Sequence, residues 1–91
     1  MFELKIVPSA KEDIDFFKKA GSKAALKKID KLLNELRVHP TTGTGKPKPL
    51  TGDLSGHWSR RIDSKNRMLY KILDTIVIVE VLSFRGHYFD K

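Results

Sequence analysis

Apolar and polar residues alternate from Phe2 to Val7, so the chain opens with a strand that turns Phe2, Leu4 and Ile6 toward a core and stops at Pro8. Ser9 and Glu12 have the capping-box spacing, in which the Ser hydroxyl takes a backbone N–H three residues on and the Glu side chain reaches back. The helix begun there carries Ala10, Ile14 and Phe17 on one face and ends near Gly21. Ser22 caps a second helix, in which Ala25, Ile29, Leu32, Leu33 and Leu36 form a continuous apolar stripe until His39-Pro40 ends it. Residues 41–49, rich in Gly, Thr and Pro, read as a loop stiffened by Pro47 and Pro49 around Lys48. Three strand-like runs follow, at 58–62, 67–73 and 76–83, joined by Asp63-Ser64-Lys65-Asn66 and by a tight connection at Asp74-Thr75. The last run is β-branched on both faces, as expected of an interior strand covered on two sides, and the first strand is its natural neighbour.

The order β-α-α-β-β-β predicts an α+β fold with two N-terminal helices packed on one face of a mostly antiparallel four-stranded sheet. The 91 residues read as a single domain, 1–91, without internal repeats or low-complexity segments. A domain of that length buries roughly two-thirds of the surface its unfolded chain exposes, so it holds one modest core. The 40% hydrophobic content is enough for that core, and the 32% charged content, mixed in sign along the first half, argues against a disordered chain.

Charge narrows the partners. Eighteen Lys and Arg against 11 Asp and Glu give a formal charge of +7, which favours nucleic acid, an anionic membrane surface or an acidic protein without choosing among them. Lys23, Lys27, Lys28 and Lys31 on the polar side of the second helix form either a surface for RNA or an acidic partner, or an ordinary solvated face, which is the commoner case. No apolar run approaches the roughly 20 residues of a membrane-spanning helix and the N-terminus lacks a signal-peptide pattern, so a cytoplasmic protein with no membrane association is expected. With no Cys, disulfides and thiolate zinc sites are excluded. His39, His57 and His87 are far apart in sequence and the acids are scattered, so neither a metal nor a cofactor is expected. Gly45-Lys46 does not make a phosphate-binding P-loop, because Pro40 and Pro47 stand where that motif needs Gly and Ser or Thr.

The residues capable of chemistry lie in the second half. Cleaving RNA without a metal requires one group to take the ribose 2′-OH proton, another to protonate the leaving 5′ oxygen, and cations to neutralise the phosphate. Arg67 opens its strand beside a polar turn, where a guanidinium either grips a phosphate through paired N–H donors or pairs with Asp63 or Asp74. His87 has the one side-chain type whose ordinary pKa, roughly 6.5, suits proton transfer near neutrality; an exposed imidazole without a role is the alternative. Tyr88 either stacks on a base or closes the edge of the core. Arg60 and Arg61 point to opposite faces if strand alternation holds, so at most one of them joins Lys46, Lys48, Arg67 and Arg85 as a cation on one RNA-binding surface. Trp58, with Leu54 and Ile62 for neighbours, reads as core.

The combination of Gly45-Lys46-Pro47-x-Pro49-Leu50, Leu54-Ser55-Gly56-x-Trp58-Ser59-Arg60-Arg61-Ile62, Arg67 with Tyr70, and terminal His87-Tyr88 resembles the YoeB (Txe/YoeB) toxins of the RelE/ParE superfamily over essentially the whole chain. The resemblance implies a RelE-like fold and a ribosome-dependent endoribonuclease that cuts mRNA in the A site. It also implies a cognate antitoxin that masks the active site, and a toxin homodimer. It assigns phosphate stabilisation to Arg67, general acid catalysis to His87 and substrate positioning to Tyr88. One departure stands out: between the two prolines, where the best-known members carry a Glu as general base, this chain has Lys48. A lysine ordinarily titrates near 10.4, so Lys48 serves as a base only if burial or neighbouring cations lower that value; otherwise it stabilises the transition state and His87 carries more of the proton transfer. The Phe89-Asp90-Lys91 extension past the His-Tyr pair is a second, smaller departure. Two other readings remain open at this point: a ParE-like gyrase inhibitor of the same fold, and a catalytically inactive protein that binds RNA or the ribosome.

Overall fold

A computed structural model describes residues 1–82; the expectations for Arg85, His87 and Tyr88 lie outside the described residues. β1 spans Glu3–Ile6, α1 Pro8–Lys19, α2 Lys23–Leu36, β2 Lys48–Pro49, β3 His57–Arg61, β4 Arg67–Leu73 and β5 Ile76–Val81, with a short 3-10 turn at Gly52–Leu54. The strands form one sheet in the order β1-β5-β4-β3-β2. β1 runs parallel to β5, and the other pairings are antiparallel. The helices and the three strands after them make up the long connection that a parallel β1–β5 pair requires.

Alternation works as expected in β1, where Leu4 and Ile6 pack against the core while Glu3 and Lys5 are exposed. The capping box does not form. α1 starts two residues earlier, with Val7 at the N-cap and Pro8 in the first turn, and the Ser9 hydroxyl donates to the Glu80 carbonyl at 3.3 Å instead. Pro8 supplies a fixed φ suited to a first helical turn and lacks only an N–H that would have had no partner there. At the other end Gly21 takes φ +69°; its N–H bonds the Lys18 carbonyl while that of Ser22 bonds Phe17, a Schellman closure that only a residue tolerant of positive φ makes cheaply. Ser22 occupies the N-cap of α2 without a side-chain cap bond.

Ala10 and Phe17 of α1 and Ala25, Ile29, Leu32 and Leu36 of α2 are buried against Met68, Tyr70, Val77 and Val79 on one sheet face. Leu33 and Ile14 are half-buried at the edge of that stripe. β5 is interior and neighbours β1 as anticipated, but its second face is only half-covered: Val77 and Val79 are fully buried whereas Ile76 and Ile78 are not.

Among the described residues the sheet has five strands, not four. The extra one is Lys48–Pro49, inside the stretch read as loop, pairing Lys48 with Ser59 and Pro49 with Trp58. Two residues, one a proline and the other preceded by one, carry too little alternation to register as a strand. Pairing is possible because an edge position tolerates the N–H that Pro49 lacks. Among the described residues no helix is long and apolar enough to cross a membrane.

Candidate active site

Cross-strand register sorts the polar residues of the second half onto two faces. Residues directly opposite each other in a ladder share a face. On β3 and β4 the pairs Trp58–Tyr70 and Arg60–Met68 belong to the helix-covered side, and the pairs Ser59–Leu69, Arg61–Arg67 and His57–Lys71 to the other. Lys48, opposite Ser59, extends that second face onto β2. It is the open face of the sheet in that no helix packs on it, although Ser59 and Leu69 on it are buried, and it carries Lys48, Arg61 and Arg67 within two neighbouring rows.

These cations are uncompensated. Lys46, Lys48 and Arg61 are exposed and Arg67 is half-buried. None of the four has an ion pair among the described residues; the ion pairs there are His57–Glu80, Arg60–Glu35 and Lys71–Glu80. Neither alternative partner of Arg67, Asp63 or Asp74, pairs with it among the described residues. Asp63 spends its carboxylate on the backbone N–H groups of Lys65 and Asn66, at 2.8 and 2.7 Å, and on the Asn66 amide. Burial alone would raise the Asp63 carboxyl, but those hydrogen bonds outweigh it and hold it below the usual aspartate range. Asp74 takes φ +52° in the tight turn between β4 and β5.

Arg60 departs from the expectation of an RNA contact. It is fully buried and every donor of its guanidinium is used inside the protein. Nε–H donates to the Tyr70 hydroxyl at 3.1 Å, and one terminal nitrogen donates to Glu35 Oε1 at 2.9 Å and the Thr44 carbonyl at 3.3 Å. The other donates to the carbonyls of His39 and Thr42. An arginine offers five N–H donors, so none is left for a phosphate. Tyr70 completes the knot by donating to the Pro40 carbonyl at 2.6 Å, and burial pushes its hydroxyl pKa up against the opposing effect of Arg60.

The consequence is positional. The segment from His39 to Thr44, which leads directly to Lys46 and Lys48, is held to the sheet by one buried cation. Glu35 closes the other side, accepting from the Thr44 hydroxyl at 2.6 Å and the Thr44 N–H at 2.8 Å. The Thr44 hydroxyl bond, with help from the Thr44 amide and Arg60, lowers the Glu35 pKa against the cost of burial. Past the clamp the backbone is pinned to β3 itself, Arg61 donating its N–H to the Gly45 carbonyl at 2.7 Å. Gly45 has φ +84° and a Cβ there would stand 2.8 Å from the Arg61 carbonyl oxygen, so close approach requires glycine.

A second polar group on the open face has no counterpart among the residues singled out by sequence. His57 Nε2 lies 2.8 Å from Glu80 Oε1, and Lys71 Nζ lies 3.8 Å from Glu80 Oε2. The pairing of β4 with β5 shifts between Leu69 and Tyr70, which face Val81 and Val79, so Glu80 is the extra residue of a bulge. Alternation with the buried Val77 and Val79 already turns Glu80 to the open face, and the bulge leaves it with no residue directly opposite on β4. The signal in the sequence was Glu80 itself, the one charged residue in the Ile76–Val81 run.

Among the described residues no three His, Asp or Glu side chains are grouped to hold a metal ion. A groove of about 870 Å³ is lined by Lys27, Lys28, Lys31, Glu35, Val38 and His39. It follows the outer side of α2, not the sheet cations, and volume alone gives it no chemistry.

Residues 7–88 match the family described as the YoeB-like toxin of bacterial type II toxin-antitoxin systems. Toxin RelK of Mycobacterium tuberculosis is 44% identical over 81 residues, spanning 89% of this chain and 92% of its own length. Toxin YoeB of Escherichia coli K12 is 41% identical over 66 residues, 72% of this chain and 76% of its own. Among solved structures, the YoeB/ParE toxin from Agrobacterium tumefaciens superposes with a TM-score of 0.82 at 30% identity, covering 92% of this chain and 99% of that one. YoeB of Staphylococcus aureus, solved as a heterotetrameric complex with YefM, gives 0.81 at 29% identity over 93% of this chain and 98% of that one. Its dimer gives 0.79 at 30% over 92% and 97%. With the family match running from the end of β1 past β5 and the fold in agreement, the chain belongs to the YoeB-like toxins of bacterial type II toxin–antitoxin systems.

Proposed function

We propose that this toxin is a ribosome-dependent endoribonuclease that cuts mRNA in the A site and so stops translation. The observation that carries the reading is the set of cations Lys46, Lys48, Arg61 and Arg67, without an ion pair among the described residues, on and beside the helix-free sheet face. Such a surface fits a polyanion, and its guanidinium at Arg67 suits paired hydrogen bonding to a phosphate in the transition state. In this reading the ribose 2′-OH attacks the adjacent phosphate, Arg67 and Lys48 neutralise the developing charge, His87 protonates the leaving 5′ oxygen and Tyr88 positions the nucleotide. Lys46, Arg61 and Arg85 hold the strand. The partners are the ribosome, mRNA and, by likeness to the Staphylococcus aureus complex and dimer, a cognate antitoxin and a second copy of the toxin. It acts in the cytoplasm, where ribosomes are. A site made mostly of cations depends on its host to hold mRNA in reactive geometry, so free RNA is a poor substrate.

Primer extension on an mRNA in a purified translation system tests the reading. Wild type is expected to give ribosome-dependent cuts within A-site codons. Arg67→Ala should cost at least about 10²-fold, the size seen when one preorganised donor to a developing charge is removed. Absence of cuts from folded wild-type protein would overturn the nuclease. Growth inhibition that survives Arg67→Ala would favour protein contact, as in a gyrase inhibitor.

A further inference from the structure

We propose that Lys46 is a phosphate-contacting residue of this ribonuclease kept in a strained backbone conformation, and that Glu35 and Thr44 are the positioning residues that hold it there; the assignment rests on the nuclease reading above. The chain reaches β2 across an irregular step. Arg61 donates its N–H to the Gly45 carbonyl at 2.7 Å, and two residues earlier on β3 Ser59 pairs with Lys48. From Gly45 to Lys48 is three residues and from Arg61 to Ser59 is two, so the β2 side carries one residue more than the ladder needs. Two residues, Lys46 and Pro47, thus stand across from Arg60 alone, which is the arrangement of a bulge. Bulges at sheet edges and beside active sites re-aim a side chain.

Lys46 absorbs the extra residue. Its φ is +53°, in the left-handed region that glycine enters freely and that a side chain with a Cβ resists. Pro47 opposes it further, since the residue before a proline is driven toward extended conformations. Gly43 and Gly45 take the other positive φ values of this loop, +117° and +84°, so of its three left-handed positions only Lys46 carries a side chain. A non-glycine residue stays in such a conformation where the surrounding structure over-determines it, and these positions cluster at functional sites.

The constraint comes from both sides. After Lys46, β2 is fixed by the pairing of Lys48 with Ser59 and Pro49 with Trp58. Before it, Thr44 donates its hydroxyl and its N–H to Glu35, and its carbonyl accepts from Arg60. Lys48 is placed by its strand pairing alone, so the cation that depends on the Thr44 clamp is Lys46. Its side chain is exposed and has no ion pair among the described residues, beside Arg61 and one proline from Lys48. An ammonium has donors and no acceptor, and a phosphate of a strand crossing this corner of the sheet supplies the acceptors and the opposite charge.

The kcat/KM for ribosome-dependent mRNA cleavage, measured beside the thermal midpoint, tests the assignment. Lys46→Ala is expected to lower kcat/KM about 10-fold, the effect of one hydrogen bond to a charged group, and Lys46→Arg to keep it. Lys46→Gly should lose the same activity yet melt above Lys46→Ala, because glycine relieves the positive φ. Thr44→Val should lower kcat/KM about 5-fold in the wild-type background and leave it unchanged in the Lys46→Ala background, while shifting the midpoint equally in both. A loss of activity that persists in the Lys46→Ala background would make the clamp structural only and overturn its positioning role. A midpoint for Lys46→Gly no higher than that of Lys46→Ala would overturn the strain. Wild-type kcat/KM in Lys46→Gly, beside an inactive Arg67→Ala, would overturn the phosphate contact and leave the nuclease standing. A wild-type protein that cuts nothing on ribosomes would overturn the nuclease and this assignment with it.

Discussion

Arg60 shows how one residue's surroundings reverse what its type implies. Adjacent to Arg61 it reads as half of a basic pair, yet strand periodicity places it between Trp58 and Ile62, on the side that faces the core. Burying a guanidinium is costly unless every donor is met, and here five hydrogen bonds, one of them to a carboxylate, meet them. Arg60→Ala would strand the carbonyls of His39, Thr42 and Thr44 and leave Glu35 without its cation, at about 3 kcal/mol. Arg60→Lys should recover little of that, because an ammonium is a compact point of charge and cannot fork to acceptors on both sides. Urea unfolding measures both; a destabilisation below about 1 kcal/mol in the alanine variant, within the range of a single ordinary hydrogen bond, would mean that the loop holds without its knot.

The element that Arg60 secures is the loop from α2 to β2, and its dependence on Glu35 gives it a pH signature. The Glu35 carboxyl titrates below its ordinary value of 4.5 in the folded protein, first because the Thr44 hydroxyl donates to the ionised form. A depressed carboxyl stabilises the fold above its unfolded pKa, and that contribution disappears as pH falls through the lower folded value. The thermal midpoint of wild type should therefore exceed that of Glu35→Gln at neutral pH, with the gap narrowing below pH 4.5. A gap that does not depend on pH would assign the effect to packing at Gly43, where an added Cβ would lie 2.4 Å from Glu35 Oε1.

At this same scale, periodicity found the elements that have it. The Arg67–Leu73 strand matches at both ends, and α2 follows its apolar stripe. Where a partner or a local steric demand decides, periodicity was silent: β2 exists only through its pairing with β3, and α1 starts at Pro8 in place of the Ser9–Glu12 box. The open-face cations were legible as residue types, and it was register that placed Lys48, Arg61 and Arg67 together. His57 and Glu80, 23 residues apart, had no sequence pattern to join them.

At the scale of the whole molecule, two groups of cations stand on surfaces with the core between them. One is the open sheet face with Lys46, Lys48, Arg61 and Arg67; the other is the outer side of α2 with Lys27, Lys28 and Lys31. Each phosphate bound by a cation releases counterions, so affinity for an RNA target falls with salt in proportion to the number of phosphates neutralised. If mRNA lies across the sheet, Lys46→Gln with Arg61→Gln should reduce the slope of log affinity against log salt by about 1.4, roughly 0.7 for each phosphate of a single strand no longer neutralised. Lys27→Gln with Lys28→Gln and Lys31→Gln should leave the slope for mRNA binding unchanged, since a strand gripped on the sheet does not reach the far side of α2. The apparent affinity of toxin for ribosomes programmed with mRNA, titrated over a series of salt concentrations, reads both slopes. A shallower slope in the α2 variants with none in the sheet variants would place the polyanion in the helix groove and detach the open-face cations from substrate binding.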